Sequence, residues 1–154
     1  MAKRVANEFA ATQKIAAKEG WFKLETYGDN LNEWKVIMNG PENSPYEGGK
    51  FEIKITLPAD YPHKPPVFKV ITKIYSALIN PDDQSICHPL LDINGNDNCW
   101  KPTNKVSEII LSFRTMLADL TCDHIIDQDV AAVLQSDPEK FKKTAKEWTQ
   151  KYAK

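Results

Sequence analysis

Cys87 and His88 stand side by side in a polar stretch that also holds Pro81, Asp82, Asp83, Pro89, Asn94, Gly95, Asn96, Asp97, Asn98 and Pro102. A thiol there is more easily reached than one on a helix stripe, and its thiolate is the form that attacks acyl carbons and binds metals. Cys99 lies in the same stretch, and Cys122 with His124 follows further on. These five side chains could be zinc ligands. No Cys-x-x-Cys pair exists, however, and eleven residues separate Cys87 from Cys99, so the expectation is no metal and no other cofactor. The local signatures of cysteine proteases are absent too. The plain alternative for each cysteine is a small buried hydrophobe.

Two further segments could bind partners. Tyr61-Pro62-His63-Lys64-Pro65-Pro66 packs three prolines into six residues, which fixes an extended loop poor in backbone donors. Such a loop is either a structural corner or a preformed contact surface with His63 at its tip. Lys3, Arg4, Lys14 and Lys18 make the N-terminal segment basic, a solvated face or a docking face for an acidic partner.

The elements that must hold these residues follow from periodicity. Val5, Phe9, Thr12 and Ala16, with Ile15 beside them, predict an amphipathic helix over residues 2–18, stopped by Gly20. Alternating runs follow: Phe22, Leu24 and Thr26; Trp34, Val36 and Met38; Phe51, Ile53, Ile55 and Leu57; and a more continuous run from Val67 to Ile74. Asp29-Asn30, Gly40-Pro41 and Gly48-Gly49 supply turns between them. The expected sheet is a four-stranded antiparallel meander. Periodicity then fails over 75–103, and so long an irregular stretch in a compact domain is usually functional. Helical spacing returns at Val106, Ile109, Ile110, Phe113, Met116, Leu117 and Leu120. A short helix is expected over 127–135, and a last one from N-cap Asp137 and Pro138, with Phe141, Ala145, Trp148 and Tyr152 as its stripe. The fold class is α+β, as one domain over 1–154.

Composition narrows the function classes. The chain has 154 residues, 20 Lys+Arg against 21 Asp+Glu and a net charge of −1, which gives no global pull toward nucleic acid or an anionic membrane. No apolar run could span a bilayer, and MAKRVANEF turns polar too soon for a signal peptide. Three cysteines argue against a disulfide scaffold and for a reducing compartment, the cytoplasm or nucleus.

Taken in order, several motifs resemble the ubiquitin-conjugating enzyme family over essentially the whole chain. They are Gly40-Pro41 through Ser44-Pro45-Tyr46-Glu47-Gly48-Gly49, then Leu57-Pro58-Ala59-Asp60-Tyr61-Pro62-His63-Lys64-Pro65-Pro66. Thr72-Lys73-Ile74-Tyr75, Ser85-Ile86-Cys87, Trp100-Lys101-Pro102 and Glu147-Trp148-Thr149-Gln150-Lys151-Tyr152-Ala153 complete the set. The resemblance implies the fold of that family, with a long active-site loop between the sheet and the C-terminal helices. It implies that Cys87 accepts ubiquitin or a ubiquitin-like protein as a thioester from an activating enzyme and passes it to a ligase cysteine or a substrate lysine. By the same resemblance His63, Lys101, Pro102 and Thr103 face the ligase and Lys3 and Arg4 face the activating enzyme. The protein is expected to act as a monomer.

The departures bear on mechanism. The family typically has His-Pro-Asn after the Thr-Lys-Ile-Tyr segment, and here Ser76-Ala77-Leu78 stands instead. The asparagine is thought to stabilise the oxyanion of amine attack, which Leu78 cannot do; Asn80 is the nearest amide that a loop shift could bring in. His88-Pro89 replaces a common Leu-Asp pair, and His124 stands where many members have an acidic residue that helps deprotonate the lysine. A Pro and a His at these two positions resemble a subgroup that discharges to ligase cysteines and reacts poorly with free lysine. Twelve residues, His88 to Cys99, separate Cys87 from Trp100, more than in short members. With Leu117-Ala118-Asp119-Leu120, this expansion loosely resembles conjugating enzymes for a modifier other than ubiquitin. Two alternatives remain open: Cys99 as the nucleophile, and a degenerate member that scaffolds ubiquitin or a ligase without carrying a thioester.

Overall fold

The computed structural model describes residues 2–91, 99–119 and 125–154. Helix α1 (Ala2–Glu19) leads into four strands, β1 (Phe22–Tyr27), β2 (Asn30–Asn39), β3 (Lys50–Thr56) and β4 (Val67–Val70). They form one antiparallel sheet in sequence order. Helices α2 (Val106–Ala118), α3 (Gln128–Ser136) and α4 (Pro138–Tyr152) follow.

Alternation makes the sheet one-sided. Trp34, Val36 and Met38 of β2 pair with Ile55, Ile53 and Phe51 of β3, and all six side chains are buried. Buried in the same core are Val5, Thr12 and Ala16 of α1, Val106, Ile109, Ile110, Phe113 and Leu117 of α2, and Phe141 and Ala145 of α4. Fully burying a large aliphatic or aromatic side chain stabilises by about 1.5–3 kcal/mol, so this shared core is what holds the loops in place.

Three elements differ from the expectation. The run from Val67 to Ile74 ends as a strand at Val70. Beyond it, the Ile71 and Thr72 amides both turn to the Glu52 carbonyl, at 2.8 and 3.4 Å, so the ladder stops advancing. The stretch 75–103 is not structureless: Ile79 bridges Ile86, Ser85 bridges Lys69 of β4, and Pro89–Leu91 forms one 3-10 turn. The buried stripe of α4 runs through Phe141, Ala145 and Thr149 rather than onto Trp148 and Tyr152. Those two rings flank it, Trp148 against Tyr75 at 5.2 Å, with the Lys73 ammonium 5.4 and 5.1 Å from the Trp148 and Tyr152 centroids. The expected helix over 127–135 is α3, with Asp127 accepting from the Val130 amide at 3.2 Å. Asp137 caps α4 through the Lys140 amide at 3.1 Å.

Candidate active site

Cys87 is exposed and lies between two side chains that point inward, Ile86 and His88. That alternation is the period of an extended chain, and each flank is fixed. On the N-terminal side, the Asn80 amide donates to the Ser85 carbonyl at 2.8 Å and the Gln84 amide to the Asn80 carbonyl at 2.9 Å. Val70 of β4 donates to the Gln84 carbonyl at 3.0 Å, tying the turn to the sheet. Asn80 Oδ1 accepts from the Asp82 amide at 2.8 Å, so its carbonyl oxygen caps the turn. Asp83 does the same one step on, accepting from the Ser85 hydroxyl at 2.6 Å and the Ser85 amide at 2.9 Å. The Ser85 hydroxyl, then the Ser85 amide, hold the Asp83 carboxyl below its ordinary value.

On the C-terminal side, His88 Nδ1 accepts from the Leu90 amide at 3.0 Å, and Nε2 lies 2.7 Å from Ser112 Oγ on α2. Since Nδ1 accepts, Nε2 carries the proton and donates to Ser112. His88 is therefore a buried tether between the cysteine segment and α2. It is not an exposed acid or base beside the thiol.

The segment that replaces His-Pro-Asn is also turned inward. Ser76, Ala77 and Leu78 are all buried. Ser76 Oγ accepts from the Leu78 amide at 3.1 Å. The Ala77 carbonyl accepts from the Ile126 and Asp127 amides at 2.8 and 3.0 Å. Tyr46 props the segment from behind, donating its hydroxyl to the Tyr75 carbonyl at 2.7 Å; burial raises its pKa. Leu78 offers no side-chain donor here, and Asn80 commits its backbone and its side-chain carbonyl oxygen to its own turn.

The two expected ligase-facing loops meet. Trp100 Nε1 donates to the Pro62 carbonyl at 2.8 Å, and the Tyr61 and Trp100 rings lie 5.8 Å apart. This junction leaves His63, Lys101, Pro102 and Thr103 exposed. Lys3 is exposed as well, but Arg4 is drawn inward: Nε donates to Glu8 at 3.0 Å and an Nη to the Asn104 carbonyl at 2.9 Å. The expected docking cation at position 4 is thus committed to the protein's own frame. Cys99 is half-buried. His124, Cys122 and the loop expansion at 94–98 lie outside the described residues, and among the described residues no group of three or more His, Cys, Asp or Glu could hold a metal.

Sequence reasoning missed Glu8. It is 6% exposed, and its carboxylate accepts from Arg4, from the Tyr61 hydroxyl, and from the Val106 amide at 2.6 Å. The signal was its position: Glu8 falls three residues after Val5 and four before Thr12, on the buried stripe of α1.

Comparison with known proteins agrees with this arrangement. The profile of the family described as ubiquitin-conjugating enzyme matches residues 4–149. A protein of Dictyostelium discoideum named ubiquitin conjugating enzyme E2 B is 38% identical over 152 residues, which covers 99% of this chain and 97% of that one. The solved E2 domain of a Toxoplasma gondii ubiquitin conjugating enzyme superposes with a TM-score of 0.86 at 31% identity, covering 99% of each chain. With the family's profile matched from the first helix to the last and the same fold found in a solved relative, this chain belongs to the ubiquitin-conjugating enzyme family.

Proposed function

We propose that Cys87 is the carrier residue, and that the protein takes ubiquitin or a ubiquitin-like protein from an activating enzyme and hands it on. The observation that carries this reading is the exposed thiol held between two anchored, inward-pointing neighbours. The Cys87 thiolate attacks the thioester carbonyl on the activating enzyme, a new C–S bond forms, and the activating enzyme's cysteine leaves as a thiolate. One thioester replaces another, so what the protein must supply is exposure and orientation. No side chain described around Cys87 is needed as a metal ligand or cofactor anchor for this step.

Discharge is proposed to favour a ligase cysteine over a free lysine amine. Losing one oxyanion donor costs on the order of 10²–10³ in rate where it has been tested, and buried Leu78 cannot replace that donor. The ligase face comprises His63, Lys101, Pro102 and Thr103, and exposed Lys3 remains for the activating enzyme. We place the reaction in a reducing compartment, the cytoplasm or nucleus, because an exposed thiol must stay reduced to work, and we propose that the protein works as a monomer.

The test is to mix the protein with ubiquitin, activating enzyme and ATP and follow a reductant-sensitive adduct. The adduct should form with wild type and with Cys99→Ser, and become a reductant-resistant ester or vanish in Cys87→Ser. An unchanged reductant-sensitive adduct in Cys87→Ser would move the nucleophile to another cysteine. No adduct with any ubiquitin-like protein would favour a scaffold that binds without carrying. The charged form should lose its thioester slowly to free lysine and faster to a ligase cysteine.

A further inference from the structure

Helix α2 is capped locally at Lys105, whose amide donates to Glu108 Oε1 at 3.2 Å, but its first helical amide is satisfied from far away. Its N-cap is Lys105, whose side chain has no acceptor, and no side-chain cap bond is made there to the first amide. The Val106 amide instead donates to Glu8 Oε1 at 2.6 Å, across 98 residues of sequence. A carboxylate at a helix N-terminus is favoured by both the free amides and the dipole.

The other oxygen of the same carboxylate serves two more segments. Tyr61 donates its hydroxyl to Glu8 Oε2 from the proline loop, two residues before His63. Arg4 donates Nε to the same oxygen and passes an Nη to the Asn104 carbonyl. Asn104 Oδ1 in turn accepts from the Lys101 amide at 2.9 Å, and the Asn104 amide donates to the Lys101 carbonyl at 2.8 Å. An unbroken set of hydrogen bonds therefore runs from Glu8 to the loop that presents Lys101, Pro102 and Thr103. The Arg4 guanidinium lies 5.7 Å from the Tyr61 ring centroid, which closes the circuit.

We propose that Glu8 is a positioning residue for the ligase-facing surface, using one buried carboxylate to hold the proline loop and the 99–105 loop in a single relative placement. The assignment of the surface rests on the function proposed above; the coupling of the two loops through Glu8 does not. Burying a carboxylate is costly unless all its partners are supplied. Here Tyr61 comes from the proline loop, Val106 is the first residue after the 99–105 loop, and Arg4 of α1 also holds Asn104 within that loop, so a shift of either loop strains a bond to Glu8 or to its partner Arg4.

The experiment is native hydrogen exchange on the full chain, comparing wild type with Glu8→Gln and Tyr61→Phe at fixed pH. Tyr61→Phe keeps the ring and removes only one donor, so it reports even where Glu8→Gln fails to fold. The expected result is roughly tenfold faster exchange at His63, Lys101 and Asn104, about what loss of a helix-cap bond produces, with the β2 and β3 amides unchanged. Unchanged loop amides, or acceleration of loops and sheet together, would overturn the coupling. A second arm measures discharge of the charged protein against a recombinant ligase domain carrying a catalytic cysteine. Both variants should need a higher ligase concentration for half-maximal rate and reach the wild-type rate at saturation, with charging unaffected. Loosened loops with an unchanged half-maximal concentration would overturn the positioning role. If His63→Ala and Lys101→Ala also leave that concentration unchanged, the ligase surface itself is misassigned.

Discussion

Leu78 shows how one residue can close a chemical route. Its side chain is 8% exposed and belongs to the same apolar cluster as Ile79, Ile86 and Trp100. An asparagine placed there would carry its amide into that cluster instead of toward Cys87. Burying an amide without a partner costs about 1–3 kcal/mol by mutational measure. Leu78→Asn is therefore expected to lower the unfolding free energy by about that amount and to leave discharge to free lysine slow. Denaturant unfolding and a single-turnover lysine discharge assay check the two parts. A clear gain in lysine discharge at unchanged stability would mean that the segment can turn outward. The neighbouring turn is sensitive in another way, since Asp83 holds Ser85 through its ionised carboxylate. Its carboxyl is held low, so this contribution is present above the ordinary carboxylate value and is lost only as pH falls through the lowered one. Near neutral pH the turn that presents Cys87 stays capped.

Elements were legible wherever their residues repeat with a short period. Alternation gave β1 and β3 to within a residue, and Asp137-Pro138 gave the start of α4, because caps and strand faces are local chemistry. It missed the start of β2, which begins at Asn30, four exposed or half-buried residues before Trp34. The same reasoning overran β4 at Val70, where the Glu52 carbonyl captures two successive amides from across the sheet. The Glu8 site was partly hidden for the same kind of reason. Arg4 and Glu8 are four apart and readable as a helical pair, whereas Tyr61 and Val106 come from 53 and 98 residues away. The Gly40-Pro41 and Gly48-Gly49 turns are a case where the motif was visible and its cause was not. A Cβ on Gly40 would come within 1.8 Å of the Tyr46 carbonyl oxygen, and one on Gly49 within 2.5 Å of Thr149 in α4. The first contact is with Tyr46, the residue that props the segment before Leu78. Gly40→Ala should thus destabilise by several kcal/mol, on the order of the larger single-residue effects, because its clash is with backbone that cannot rotate away. Gly49→Ala should be destabilising too, since Thr149 is buried with its hydroxyl held by the Ala145 carbonyl at 2.8 Å and relief of the clash requires α4 to shift. Thermal melts of the two variants compare them directly.

Across the molecule, buried and half-buried phenols are among the groups that tie distant elements together. Tyr27 donates to Glu52 on the sheet, Tyr46 to the Tyr75 carbonyl, and Tyr61 to Glu8 in the α1–α2 junction. Tyr75 packs against Phe141 and Trp148 of α4. In all four, burial is the largest cause and pushes the pKa up; hydrogen bonding to Glu52 and Glu8 adds to it for Tyr27 and Tyr61. A phenol whose folded value is raised favours the native state fully below its unfolded value, about 10. Above that pH the unfolded chain sheds protons that the native protein retains, so stability falls as pH rises. The melting temperature is accordingly expected to hold through neutral pH and drop steeply above about pH 10. Tyrosinate absorbance should appear together with unfolding for these phenols. Tyr46→Phe removes one of the two fully buried phenols and should flatten the alkaline limb, at the cost of the bond to Tyr75 at every pH. A melting curve that falls equally steeply in wild type and Tyr46→Phe would show that the alkaline limit lies with other groups.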